Sequence, residues 1–343
     1  MSKKQPPPRA RRETTLADVA RLAGVSPMTA SRALHQPHLV APDTILRVRD
    51  AADALAYVPN LLAGGLRSRK SRLVTAVIPS TQNPVFVEMI QALRDELLGS
   101  GYQLMLGLSD YSASGEDELL DAIISRRPDG IVLTGVVHSP SLRRRLVGAR
   151  IPVVETWDLT PTPIDMLVGF SNEKIGRAAA EYFIRRGSRK LALIVADDQR
   201  SLLRREGFVT VAAEHGLAVA GCVVVPAPSA LGMGRNGLSR LLAAAPDIDA
   251  VFCSSDLLAM GVLFEAIARG ILIPEKMAVM GFGNLNASAD TYPALTTVAV
   301  DSTLIGRQVA RLLLERVGEA EAPQPPRSPI IDVGFRIIAR ASA

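Results

Sequence analysis

From Leu73 to Ala343, apolar runs of strand length alternate with segments whose apolar residues recur at helical spacing. Leu73–Pro79, Tyr102–Leu108, Gly130–Leu133, Pro152–Glu155, Met166–Gly169, Leu191–Val195, Ala250–Cys253 and Met277–Gly281 read as strands. Helices fall between them. One covers Val85–Ser100, with Met89, Leu93 and Leu97 on one face; others cover Glu116–Ser125 and the stretches near 172–186, 201–215, 231–245, 256–268 and 302–317. This alternation predicts parallel sheets joined by right-handed crossovers. Roughly 270 residues suit two such sheets rather than one. The expectation is a two-lobed α/β body over residues 73–343, with its ligand site in the cleft between the lobes.

With 48% apolar and 21% charged residues, the chain has enough material for a sizeable core and is not globally disordered. Its two cysteines, Cys222 and Cys253, lack metal-ligand spacing and are expected to be small buried residues in a reducing compartment, the cytoplasm. No apolar run is long enough to predict a membrane span, and Pro6-Pro7-Pro8 stands where a signal peptide would need an apolar core. The net charge of +5 is unevenly spread. Residues 1–72 hold thirteen Lys and Arg against five Asp and Glu, a surplus of +8 that leaves −3 for the remainder. A basic head on a mildly acidic body points to a polyanionic partner for the head alone.

Residues 1–13 form a Pro- and Arg-rich basic tail expected to be disordered. Thr15 then suits the N-cap of a helix with Leu16, Val19 and Ala20 on one face and Asp18 in the first turn. Gly24 suits a left-handed stop. Ser26 caps a second helix with Pro27 at its first position, and a third starts at Asp43 or Thr44 and carries Ile45, Val48, Ala51, Ala52 and Leu55. This is a helix-turn-helix over 14–59, whose second helix is of the kind that enters a major groove N-terminus first.

The runs Thr15-Leu16-Ala17-Asp18-Val19-Ala20, Ala23-Gly24-Val25-Ser26, Thr29-Ala30-Ser31-Arg32 and Tyr57-Val58-Pro59-Asn60 resemble the head of the lactose/galactose-repressor (LacI–GalR) family. The resemblance continues through Pro79–Phe86, Arg127–Ile131, Ile151–Glu155, Phe252–Gly261 and Pro293–Val298. Val168–Asn172 and Val279–Gly283 look like the branch that represses gluconate utilisation. It implies an all-α helix-turn-helix head on a body like a periplasmic binding protein. Implied partners are double-stranded operator DNA, a small-molecule effector and a second copy of the chain; no cofactor is implied. DNA contacts are implied at Thr15, Ser26, Pro27, Met28, Thr29, Ser31, Arg32, Tyr57, Asn60, Ala63 and Leu66, with Pro27, Met28 and Arg32 at base edges. Residues 60–72 correspond to a hinge that becomes helical on the operator, where Leu66 wedges into the minor groove. Gly64-Gly65 departs from more helix-friendly hinges and raises the cost of ordering it.

Effector contacts are implied at Ser80, Phe86, Glu155, Arg204, Ser255 and Gly283 or Asn284. Arg204 suits a bidentate carboxylate contact; Ser80, Glu155 and Ser255 suit hydroxyls, and Phe86 suits a carbon chain. The family commonly has Asn at the position of Ser255 and Asp near Asn284, so these departures favour an acid such as gluconate over a neutral hexose. A neutral sugar or a purine is the alternative effector. Ile330–Ile338 reads as one last strand with no heptad helix after it, which predicts a homodimer rather than a tetramer.

Gly232-Met233-Gly234-Arg235-Asn236-Gly237 spells a dinucleotide fingerprint, but Pro226–Ser229 separates it from the preceding apolar run, so a flexible helix start is expected instead. His35 and His38 fall in the head, and His138 and His215 read as surface positions. No spacing of Ser, Cys or His suggests a catalytic group or metal site, which disfavours an enzyme. A solute-binding protein would share the body but not the basic head.

Overall fold

The computed structural model describes residues 14–58, 70–111, 113–318 and 329–343. They fall into two compact units that part between Ser71 and Arg72. The basic tail and most of the expected hinge, including Asn60, Ala63 and Leu66, lie outside the described residues.

The N-terminal unit contains α1 (Leu16–Ala23), α2 (Pro27–His35), a 3-10 turn at Pro37–Leu39 and α3 (Pro42–Ala54). Local chemistry sets each boundary. The Asp18 carboxylate accepts from the Thr15 amide at 3.0 Å and from its hydroxyl at 2.6 Å. Gly24 ends α1 at φ 67°, a conformation that costs a Cβ-free residue nothing. Ser26 Oγ accepts from the Thr29 amide at 3.1 Å, opening α2 behind Pro27. α3 starts at Pro42, one or two residues before the sequence reading, because a proline at the first helical position forfeits no hydrogen bond. Val19, Ala20, Ala30, Ala33, Val48 and Ala51 form a small core in which alanines let the helices approach closely.

The second unit has two six-stranded sheets. The first has strand order β11-β5-β4-β3-β1-β2, from β1 (Leu73–Ile78), β2 (Gln103–Leu108), β3 (Gly130–Thr134), β4 (Val153–Thr156), β5 (Met166–Gly169) and β11 (Ile330–Asp332). The second has order β12-β10-β9-β8-β6-β7, from β6 (Leu191–Ala196), β7 (Gly221–Val225), β8 (Ala250–Cys253), β9 (Ala278–Phe282), β10 (Thr296–Ala299) and β12 (Arg336–Ile338). Every pairing is parallel except that of β12 with β10. Lobe 1 adds α4 (Pro84–Gly99), α5 (Ala113–Ser125), α6 (Pro140–Ala149) and α12 (Ser302–Gly318). Lobe 2 adds α7 (Asn172–Arg185), α8 (Gln199–Glu214), α9 (Leu231–Ala244), α10 (Asp256–Ala268) and the short α11 (Asn286–Ala289).

The central strands of both sheets are covered on both faces and are near-continuous apolar runs. Along β6, Leu191, Leu193 and Val195 join one core while Ala192 and Ile194 join the other. The expected single strand Ile330–Ile338 is in fact two, parted at Gly334 (φ 65°), with one strand in each sheet. The chain therefore passes between lobes three times: after β5, after β10 and between β11 and β12. α6 was not foreseen. It buries only Leu142 and Leu146, and its signal is the Ser139 cap followed by Pro140.

The glycine-rich run forms the first turns of α9, at a helix start as expected. Gly234 faces the backbone of Leu258, and Gly261 of α10 faces Gly234, so small residues let these two helices touch backbone to backbone. α7 and α8 use the same device: a Cβ on Gly176 would strike the Arg204 carbonyl and Phe208 amide, and one on Gly207 would strike the Glu173 carbonyl. Gly176→Ala therefore meets rigid backbone, and a loss of about 3 kcal/mol is expected from overpacking of this kind. Thermal or urea melts check it; unchanged stability rules out the close helix pair.

Candidate functional site

On the head, α2 carries the groove-facing candidates on its first two turns. Ser26, Pro27 and Arg32 are exposed, and Met28 is 55% exposed although its side chain is apolar. Thr29 and Ser31 are partly covered, Thr15 is exposed, and Tyr57 packs against the three-helix core. The Arg32 guanidinium has no ion pair or hydrogen bond among the described residues. An exposed cation and an exposed apolar side chain on one helix suit base edges in a groove: guanidinium to guanine, methyl group to methyl group.

In the body, a narrow cavity lies between the lobes. Its apolar wall is a run of aromatic rings. Phe86 of α4 meets Trp157 at 4.8 Å, Trp157 meets Phe170 at 5.7 Å, and Phe170 meets Phe282, at the end of β9, at 6.2 Å. The run thus passes from lobe 1, through the first crossover, into lobe 2. Trp157 is fixed by its indole N–H, which donates to Met89 Sδ at 3.0 Å.

Arg204 of α8, only 5% exposed, also lines the cavity. Its Nη1 donates to Asn172 Oδ1 at 2.5 Å, and its Nη2 donates to Ser201 Oγ at 3.0 Å and to the Ser254 carbonyl at 3.2 Å. The guanidinium lies 4.2 Å from the centre of the Phe282 ring. Its Nε–H has no partner among the described residues. Burial lowers its pKa to about 10, with Asp198 opposing the shift, so it stays charged at neutral pH. Asn172 extends the link across the seam by donating to the Trp157 carbonyl at 2.9 Å.

Of the implied effector contacts, Phe86, Arg204 and Ser255 line this cavity. Ser255 is also the N-cap of α10, accepting from the Leu258 amide at 3.3 Å and sharing a 2.9 Å hydrogen bond with Ser229. The others stand outside the lining. Ser80 Oγ accepts from the Gln82 amide at 3.0 Å. Asn284 Oδ1 accepts from Arg340 Nη2 at 2.7 Å, and Gly283 turns the chain at φ 125°. Glu155 is completely buried, with Oε2 taking the Ile164 amide proton at 2.5 Å. A strand-end carboxylate looks like a hydroxyl binder in sequence, but this one is already engaged by the protein. Residues not foreseen as contacts include Asn172, Asp198, Arg200, Ser201 and Tyr111. Asn172 was visible only as part of a branch-like motif, and Asp198 carried the signal of a helix cap: it accepts from the amides of Arg200 and Ser201.

A helix-turn-helix unit joined to a two-lobed body with a polar interlobe cavity defines a ligand-responsive DNA-binding regulator. Residues 15–60 match the family of bacterial regulatory proteins named for lacI, and residues 180–343 match a periplasmic binding protein-like domain. The chain is 39% identical to the HTH-type transcriptional regulator GntR of Pseudomonas aeruginosa, covering 96% of this chain and 95% of that protein. It is 32% identical to GntR of Escherichia coli K12, with 98% of each covered. A LacI-family transcriptional regulator from Silicibacter pomeroyi superposes with a TM-score of 0.89 at 33% identity, over 96% of this chain and 99% of that one. The chain belongs to the LacI family and is a DNA-binding transcriptional repressor. The matched relatives are transcriptional regulators rather than enzymes. No described helix is long and apolar enough to cross a membrane.

Two further sequence expectations are corrected. Cys222 is exposed on edge strand β7, whereas Cys253 is buried as expected. His138, read as a surface residue, has a side chain only 2% exposed. Its Nδ1 lies 3.3 Å from Glu116 Oε1, and its Nε2 lies 3.5 Å from Glu155 Oε1, an ion pair without hydrogen-bond geometry. Burial disfavours the imidazolium, but the two carboxylates together outweigh it and raise the His138 pKa to about 9. A folded-state pKa above the ordinary 6.5 gives stability that is fully present below pH 6.5 and is lost as pH rises through 9. The loss is expected to be on the order of 3 kcal/mol. Melts between pH 6.5 and 9.5 check it: the wild type should lose stability across that window and His138→Gln should lose far less.

Proposed function

We propose that this repressor acts in the cytoplasm as a homodimer on a pseudo-palindromic operator and is released by gluconate or a closely related sugar acid. The observation that carries the effector class is the buried Arg204 guanidinium, with an unpartnered Nε–H, facing a cavity walled by aromatic rings and serine hydroxyls. Such a cation suits a carboxylate, while Ser255, Ser229 and Asn172 suit the hydroxyls of a polyol chain. The GntR name of the relatives in P. aeruginosa and E. coli supports the same class.

Dimerisation is supported by the apolar residues left on the body's edge strands. Met105, Leu106 and Leu108 on β2 and Val224 on β7 are exposed in the single chain. Open edges of this kind are normally covered. A superposable fold, at 20% identity and a TM-score of 0.80, is that of the lac repressor dimer bound to operator. Two heads related by two-fold symmetry double the length of DNA read.

The effector reading is tested by titrating gluconate and neutral hexoses into a preformed operator complex and following release by fluorescence anisotropy. Gluconate is expected to release the DNA and hexoses to leave it bound; release by hexoses or purines alone overturns the assignment. For the head, Arg32→Ala is expected to weaken operator binding by about 1–3 kcal/mol, roughly five- to 150-fold, with little change on unrelated DNA. Equal operator affinity of mutant and wild type would take Arg32 off the reading face.

A further inference from the structure

The cavity has a second guanidinium, that of Arg200 in the first turn of α8. Arg200 belongs to lobe 2, yet its Nη1 donates to the Thr134 carbonyl of lobe 1, at a long 3.4 Å. The guanidinium also sits 5.5 Å from the centre of the Phe86 ring. On its far side the cleft widens into an outer, more open chamber of about 390 Å³, which shares Tyr111, Asp198 and Arg200 with the inner cavity. Arg200 therefore stands on the partition between the two.

The nearest carboxylate does not satisfy it. Asp198 Oδ1 lies 3.8 Å from Arg200 Nε, beyond hydrogen-bond range. Both Asp198 oxygens are occupied by the helix start: Oδ1 accepts from the amides of Arg200 and Ser201, and Oδ2 from Ser201 Oγ at 2.6 Å. Asp158 also lines the outer chamber, but its Oδ1 accepts from the Leu159 amide at 2.9 Å, and burial pushes its pKa up. Among the described residues, Arg200 thus has five donors, one long hydrogen bond and a side chain only 14% exposed. That is a cation with few protein partners, at the border of an open chamber. Arg204, by contrast, is pinned by Asn172, Ser201 and the Ser254 carbonyl. The two guanidiniums repel: Arg200 is among the groups that lower the Arg204 pKa.

We propose that Arg200 is the specificity-determining residue that selects an acid over the corresponding neutral polyol, its guanidinium being completed by the ligand's carboxylate while it spans the two lobes. An anion between the guanidiniums pairs Arg200 and relieves their repulsion; a neutral chain does neither. The inference rests on the sugar-acid reading of the cavity and adds a second cation to it.

The test is calorimetric titration of gluconate and of glucitol, which has the same carbon chain with the carboxylate replaced by a hydroxymethyl group. Wild type, Arg200→Gln and Arg200→Lys are compared, with thermal melts to establish that each is folded. Wild type is expected to prefer gluconate. Arg200→Gln should lose about tenfold or more in gluconate affinity and most of the preference, and Arg200→Lys should recover part of both. Arg200→Gln binding gluconate within about twofold of wild type overturns the role of Arg200 and leaves the sugar-acid reading standing. Equal losses for both ligands overturn it too, because Arg200 would then only hold the lobes together. A wild type that binds glucitol as well as or better than gluconate overturns both.

Discussion

A guanidinium removed from water at the seam between two lobes is costly to bury, and the surrounding residues offset that cost. Desolvating a charge is unfavourable by several kcal/mol unless hydrogen bonds and opposing fields compensate. The direct partners of Arg204 all belong to lobe 2, and one of them is tied to lobe 1. Ser201 and the Ser254 carbonyl come from lobe 2, the Phe282 ring lies against its face, and Asn172 is held by the Trp157 carbonyl of lobe 1. Each partner stands where it does for a structural reason. Ser201 belongs to the capped first turn of α8, Ser254 ends β8, and Asn172 opens α7 just after the chain leaves β5. The position of α8 is fixed in turn by the paired glycines Gly176 and Gly207, which bring the Arg204 carbonyl against α7. The cavity's chemistry therefore depends on a helix contact made backbone to backbone at two glycines, well away from the guanidinium itself.

The same seam explains why three chain crossings suit the fold. Crossings after β5, after β10 and between β11 and β12 lie side by side at the lobe junction, where Val333 donates to the Gly169 carbonyl at 2.9 Å. Crossings arranged like this leave a hinge-like relative motion of the lobes while restraining large separations. The aromatic run from Phe86 to Phe282 lies across that junction.

Legibility in the sequence followed the range of the forces involved. The head was readable almost residue by residue because its boundaries are set locally, by Thr15 with Asp18, by Gly24 and by Ser26 with Pro27. The sheet strands were readable because strands buried on both faces are apolar throughout, as β6 shows. What sequence could not resolve depends on contacts distant along the chain. His138 and Glu155 are seventeen positions apart and look like a surface imidazole and a ligand carboxylate, yet they pair inside the protein. Ile330–Ile338 has the composition of one strand, and only the existence of two sheets divides it at Gly334. The glycine-rich run resembles a phosphate loop until Gly261 is seen packed against Gly234. Arg200 was hidden for a similar reason. Nothing in its neighbourhood in sequence separates it from Arg204 and Arg205, and its reach into lobe 1 exists only in three dimensions.

Energetics set how much the cavity must do to control the head. A ligand shifts a two-state equilibrium only by its differential affinity for the two states. A tenfold change in operator affinity needs about 1.4 kcal/mol of coupling. One hydrogen bond to a charged group is worth about 1.5–3 kcal/mol. A single interlobe contact of that kind, made in one arrangement and lost in the other, is therefore enough for a tenfold response. The Arg200–Thr134 contact already crosses the seam, but at 3.4 Å it is too long to be strong. A weak link is the useful one here. A short, fully paired bridge would hold the lobes closed without ligand, whereas a cation short of partners leaves the closing energy for the ligand to supply.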